Sequence, residues 1–168
     1  FRRRKDLPPD EFVFIPFGFL CALAGGLALL SPATAATGRR LVEQGMTLFF
    51  IAGIGGFLIP RLLGRAARVP EGVSAEAVRQ TVEAPRRTRI VLYLLTGVLL
   101  LSSFVVEAVV EGPAGKFLRA AVVSAHFLRV LRVHRMPLKK MWHVRFLHLS
   151  LCLILAGLWL SGLFPDYE

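Results

Sequence analysis

The chain has 168 residues, of which 55% are apolar and 19% charged, and its 21 lysines and arginines against 11 acidic residues give a formal net charge of +10. This apolar fraction excludes an intrinsically disordered chain and a basic nucleic-acid-binding domain, both of which are more polar. A soluble domain carries about 25% charged residues, whereas the charges here are clustered between long uncharged runs, as is typical of a membrane protein.

Five apolar segments approach the length that crosses a membrane. A helix of about 20 residues spans the ~30 Å hydrocarbon core, because it bonds its own backbone polar groups. The fourth segment is the weakest, since arginines and a histidine interrupt it. The sequence therefore predicts an all-α polytopic integral membrane protein, a single domain formed by a bundle of five transmembrane helices. The predicted spans are residues 12–30, 41–59, 90–110, 117–133 and 146–164.

The basic residues predict the orientation of this bundle. Fifteen of the 21 lie before the first span, within residues 60–89, or between the last two spans. Cytoplasmic loops retain Lys and Arg, so we expect the N-terminus in the cytoplasm and the C-terminus outside. Residues 60–89 are then a solvated cytoplasmic connector, with a short interfacial helix within them as the alternative.

This placement also accounts for the net charge without nucleic acid. Basic residues beside a membrane each gain about 1 kcal/mol from anionic lipid headgroups. We therefore expect the lipid bilayer, including its anionic headgroups, as the partner of the basic loops.

Polar side chains inside the predicted spans are the first candidates for function, because each is costly in the membrane unless it is paired or hydrated. Glu107 lies about one turn from the end of the third span, and Arg119 lies near the start of the fourth. Neighbouring antiparallel helices would bring the two to similar depth. We expect a structural ion pair, with a proton or ligand role as the alternative.

The four histidines are the candidates for ligating haem or copper. His126 lies near the middle of the fourth span and His148 lies one turn into the fifth. Each of the two is expected to be either a cofactor ligand or a hydrogen-bond partner of a neighbouring helix. No two histidines lie four residues apart on one helix, so their spacing does not decide between these roles. His134 and His143 flank a basic loop and are expected to face lipid headgroups.

The sequence has no CxxCH, HExxH, Walker or GxSxG motif, so it predicts no catalytic residue.

Glycines cluster near the end of the second span. Gly53, Gly55 and Gly56 are expected to let another helix approach closely. The alternative is a flat surface against a planar cofactor.

This glycine cluster is part of a longer pattern that resembles a known family. Glu43-Gln44-Gly45-Met46 precedes GIGGFLIPRLLG, and SFVVEA, LRA, LRVHRMP and AGLWL follow in that order. Over about residues 40–168 the chain resembles the NnrS family of bacterial polytopic membrane proteins. The resemblance implies a haem- and copper-containing protein of the bacterial inner membrane, associated with nitric oxide metabolism and nitrosative stress.

Two hypotheses about function follow. In the first, the chain is a fragment or short member of the NnrS family that binds haem or copper, with His126 and His148 as candidate ligands. In the second, it is a non-enzymatic accessory subunit that packs against other integral membrane subunits of a larger respiratory or photosynthetic complex. The odd number of spans and the initial Phe1 indicate part of a longer protein.

Overall fold

A computed structural model describes residues 9–63, 75–110, 112–137 and 141–164, and for residues 75–85 it describes the backbone alone. Five helices form this described part of the chain. The predicted all-α class is confirmed, and the described residues contain no strand. We name the helices α1 (Asp10–Ala28), α2 (Ala35–Leu62), α3 (Ala75–Val109), α4 (Ala114–His126, continued by the π-helical turn Phe127–Leu131) and α5 (Trp142–Leu163).

Four of these helices are long and apolar enough to cross a membrane. They are α1, α2, the part of α3 from Arg86 to Val109, and α5. The fourth predicted span does not meet this description, because α4 carries Lys116, Arg119 and Arg129. The five predicted helices are present, four of them apolar enough to span a membrane, and the predicted orientation stays a prediction.

The helices α2 and α3 begin before the predicted spans. α2 starts at Ala35 rather than at residue 41, and α3 starts at Ala75, inside the segment predicted as a connector. Hydropathy marks where an apolar run begins, whereas a helix also includes charged residues with good helix propensity. Residues 75–89 are therefore helical, and residues 64–74 of the predicted connector lie outside the described residues.

The bundle is closely packed where α1 meets α2. A Cβ atom built on Gly25 would lie 2.8 Å from the carbonyl oxygen of Gly38, and one built on Gly38 would lie 2.7 Å from that of Gly25. Only glycine at both positions permits this backbone contact between neighbouring helices. Phe14, Phe49 and Phe127 fill the apolar core from α1, α2 and α4.

The three glycines predicted for helix packing face different neighbours. A Cβ on Gly53 or Gly56 would meet Glu11, at the start of α1, at 3.3 Å and 3.0 Å respectively. α1 therefore occupies the surface that would have received a planar cofactor. Gly55 differs, because the nearest atoms to its Cβ position belong to Ile59 and Ile51 of its own helix.

Within the described helices, three π-helical turns interrupt the α-helical geometry. They span Leu41–Met46 and Ile51–Gly55 in α2 and Phe127–Leu131 in α4. Such turns occur often at functional sites, because each local widening reorients the side chains next to it. The turns in this bundle contain or adjoin Gln44, Ala52 and His126, and all three residues contribute to the sites described next.

Candidate functional site

A buried ion cluster joins α2, α3 and α4 at one end of the bundle, which we call the Glu107 end. Glu107 and Arg119 form an ion pair, with side chains only 5% and 2% exposed. Arg119 also donates a hydrogen bond to Gln44 Oε1, and its guanidinium carbon lies 3.9 Å from the ring centroid of Phe104. Arg40 adds a second cation, 3.1 Å from Glu107 Oε1. The two residues that the sequence paired are therefore in contact, within a larger cluster.

A glycine at the start of α4 permits this pairing. A Cβ atom on Gly115 would lie 2.5 Å from Glu107 Cβ and 2.6 Å from the carbonyl oxygen of Ser103. The first turn of α4 therefore lies directly against the last turns of α3, and Arg119 reaches Glu107 from one turn further along. Sequence reasoning missed Gln44 and Arg40, although their i, i+4 spacing places both on one face of α2.

A second ion cluster lies at the opposite end, which we call the Asp10 end. Asp10 at the start of α1 accepts a hydrogen bond of 2.7 Å from Arg86 Nε and one of 3.1 Å from Arg89 Nε. The contacts tie α1 to α3 across a large separation in sequence. Sequence reasoning did not find them, because Asp10 precedes the first predicted span and both arginines fall in the predicted connector.

His126 lies inside the bundle, between the two ion clusters. Its side chain is 6% exposed, and its ring contacts those of Phe14, Tyr93 and Phe127 at centroid distances of 5.0, 5.9 and 6.4 Å. Nε2 is buried and has no hydrogen-bond partner among the described residues. Most buried polar atoms in proteins are paired, so an exception of this kind is a candidate functional atom.

A small cavity adjoins His126 at the meeting point of α1, α2, α3 and α4. Its volume is about 10 Å³, close to the minimum for one water molecule. Among the described residues that line it, only Thr96 and His126 have a polar side chain, and the others, such as Leu48, Ala52 and Leu100, are apolar.

The other histidines lie elsewhere in the structure. His148 is half-buried on α5 and is not among the ring neighbours of His126, while His134 and His143 are exposed. A polar link between α4 and α5 comes from Trp159 Nε1, which donates a 3.0 Å hydrogen bond to Ser124 Oγ.

The sequence matches the family described as NnrS protein over residues 2–166. The chain belongs to the NnrS family. The resemblance seen over residues 40–168 is thus confirmed and extends to nearly the whole chain. No curated protein and no solved structure matches it.

Membership of the NnrS family raises the question of whether these histidines hold a haem or a copper ion. Within the described residues no three His, Cys, Asp or Glu side chains converge on a metal position. The space beside His126 is water-sized, and three aromatic rings enclose the imidazole, so a haem macrocycle does not fit there. The surroundings of His126 therefore fit neither a haem nor a metal site with three or more protein ligands among the described residues.

Proposed function

We propose that this NnrS-family chain acts in the membrane in a nitric-oxide-related process and that His126 is the side chain through which it acts. The observation that carries this proposal is the buried Nε2 atom, which lacks a partner among the described residues. Leaving such an atom unpaired costs about 1–3 kcal/mol of stability. A phenylalanine would fill the site without that cost, so a histidine here is better explained by function than by packing.

The position of His126 suits a small uncharged substrate. Nitric oxide dissolves in the hydrocarbon core and can reach the bundle interior from the lipid. The cavity beside the imidazole is lined by four helices and is nearly all apolar, which favours a molecule of this type over an ion.

The proposal is tested by complementation in host cells from which the gene for this chain has been deleted. Growth is followed during exposure to a nitric oxide donor, and the amount of each variant in the membrane fraction is measured by immunoblot. We expect the wild type to restore growth and His126→Phe, which keeps a ring of similar size, to fail at an equal membrane level. The matched control is His143→Phe, at an exposed histidine on α5, which should restore growth. Full growth with His126→Phe would reject the role of His126.

A second candidate function is that of an accessory subunit in a larger membrane complex. α5 supports it, because the buried residues of this helix are only Val144, Leu151 and Gly162, while Trp142 and Phe146 are largely exposed. Such a face is covered either by lipid or by another integral membrane subunit. Gentle solubilisation of native membranes should then yield a particle larger than the chain itself, whereas a free single chain would contradict this candidate.

A further inference from the structure

The α4–α5 hairpin carries basic residues at the Asp10 end without an acidic residue of its own. We use this name for α4, α5 and the segment that joins them, and the sequence contains no Asp or Glu between residues 112 and 165. Asp10, at the same end of the bundle, is already paired with Arg86 and Arg89 of α3. The arginines at the basic end of the hairpin are all exposed, and they are Arg129, Arg132, Arg135 and Arg145.

The segment after α4 holds its basic side chains on the outside of the bundle. Leu131 and Val133 are buried, and Arg132 lies exposed between them. His134 and Arg135 follow and are also exposed. The backbone N–H of Val133 donates a 3.3 Å hydrogen bond to a carbonyl oxygen in the last turns of α4, so the segment folds back on the helix end. Buried apolar residues therefore fix the segment, and the charged ones face outwards.

Arg132 adopts a backbone conformation that suits glycine. Its φ is 52° and its ψ is 43°, and it is the only residue other than glycine with a positive φ among those that the structure describes. This left-handed region is unfavourable for a residue with a Cβ atom, and helices that end in it most often do so on glycine. Backbone strain persists where the surrounding structure or a function requires it. An arginine at this position therefore points to a use for its side chain.

The first turns of α5 add an apolar surface next to these charges. Trp142 and Phe146 are largely exposed, and their ring centroids lie 6.1 Å apart. The guanidinium carbon of Arg145 lies 6.0 Å from the centroid of the Trp142 ring. Tryptophan is enriched where lipid headgroups meet the hydrocarbon, which indicates that α5 begins at this boundary. Leu149 and Leu153 continue the exposed apolar surface towards the middle of the helix.

We propose that the basic end of the hairpin binds an anionic phospholipid, with its phosphate on Arg132, Arg135 and Arg145 and its acyl chains along the exposed side of α5. Guanidinium groups bind phosphate oxygens through paired hydrogen bonds, and basic sites between membrane helices bind anionic headgroups. A phospholipid matches both parts of the surface, because its charge lies at the boundary and its chains lie deeper. The site is on the outside of the bundle, so it depends neither on His126 nor on nitric oxide.

The first test counts the phospholipid molecules that stay bound to the chain. The full chain in mild detergent is mixed with equal amounts of phosphatidylglycerol and phosphatidylcholine, and bound lipid is counted by native mass spectrometry. We expect at least about fivefold more phosphatidylglycerol than phosphatidylcholine to be retained. Equal retention of the two lipids would overturn the proposal. So would displacement of the lipid by glycerophosphate at the same concentration, because that compound has the phosphate without the acyl chains.

Two variants and a matched control locate the site. Arg145→Gln and Arg132→Gly should each lower the preference for phosphatidylglycerol at least about threefold. Glycine also suits the left-handed backbone at residue 132, so Arg132→Gly should lose lipid without losing stability. The control is Arg87→Gln, which removes the same charge from an exposed position on α3 at the Asp10 end and should leave the preference unchanged. An equal loss in the control, or an unchanged preference in both hairpin variants, would reject a site on the hairpin.

Discussion

Replacing Glu107 by glutamine tests whether the buried ion cluster holds the bundle together. The substitution keeps the size of the side chain but removes the carboxylate that both Arg119 and Arg40 contact. Arg119 is 2% exposed, so its charge cannot turn to water without moving α4. Removing one partner from a buried ion pair costs about 3–5 kcal/mol, and we expect Glu107→Gln to lower the free energy of unfolding by about that amount.

The structure also predicts an asymmetry between the two partners. Arg119→Met leaves Glu107 beside Arg40, which is 38% exposed and can keep the carboxylate hydrated and paired. The loss from Arg119→Met should therefore be smaller than that from Glu107→Gln. The double variant removes both buried charges, and replacing a buried pair by neutral groups of similar volume is often close to neutral. Its loss should be well below the sum of the two single losses.

The assay is unfolding of the purified chain in dodecyl maltoside micelles with increasing SDS, followed by circular dichroism. The matched control is Glu43→Gln, because Glu43 is an exposed carboxylate next to Gln44 on α2 and should change the free energy of unfolding by less than about 0.5 kcal/mol. A loss below about 1 kcal/mol for Glu107→Gln would show that the pair behaves like a hydrated surface pair. Additive losses in the double variant would equally refute the reasoning.

Three further predictions concern packing, the buried histidine and the orientation. Gly115→Ala should cost about 1–3 kcal/mol in the same unfolding assay, because its Cβ collides with the backbone of α3, whereas Gly157→Ala, at an open position, should be close to neutral. His126→Phe should leave the free energy of unfolding unchanged or raise it by about 1 kcal/mol, since it removes a buried unpaired nitrogen, and a large loss would show that the imidazole is held by packing. A reporter enzyme that works only in the cytoplasm should be active when it is inserted within residues 64–74, and a reporter that works only outside the membrane should be inactive there. The reverse result would invert the predicted orientation.

The sequence was sufficient for the features that depend on local composition. Hydropathy identifies α1, α2, α3 and α5, because each contains an apolar run about as long as the membrane is thick. The depth of polar residues within two successive spans was enough to pair Glu107 with Arg119. The helical start of α3 at Ala75 lies in the segment predicted as a connector, with a short interfacial helix as the alternative, because hydropathy does not measure helix propensity in a charged segment.

The remaining contacts depend on which faces meet, and one sequence does not specify that. Asp10 and Arg86 are far apart in the chain and lie on helices whose packing partners are unknown before the bundle is seen. The cavity beside His126 combines residues of four helices, and the π-helical turns next to it have no composition signal. The isolated buried histidine was visible in the sequence, but its missing hydrogen-bond partner was not.

The least apolar helix, α4, carries most of the candidate functional side chains. The cost of polar groups in lipid explains why these side chains face the interior of the bundle. Lys116, Arg119 and His126 are all buried on α4, since a lipid-facing ionisable group would be expensive. Their partners come from neighbouring helices: α2 and α3 pair with Arg119, while α1 and α3 enclose the imidazole. These neighbours can span a membrane by composition alone, and α4 is stable among them because they supply the partners that lipid cannot. A sequence search for functional residues in such a bundle should therefore begin at the helix with the lowest hydropathy.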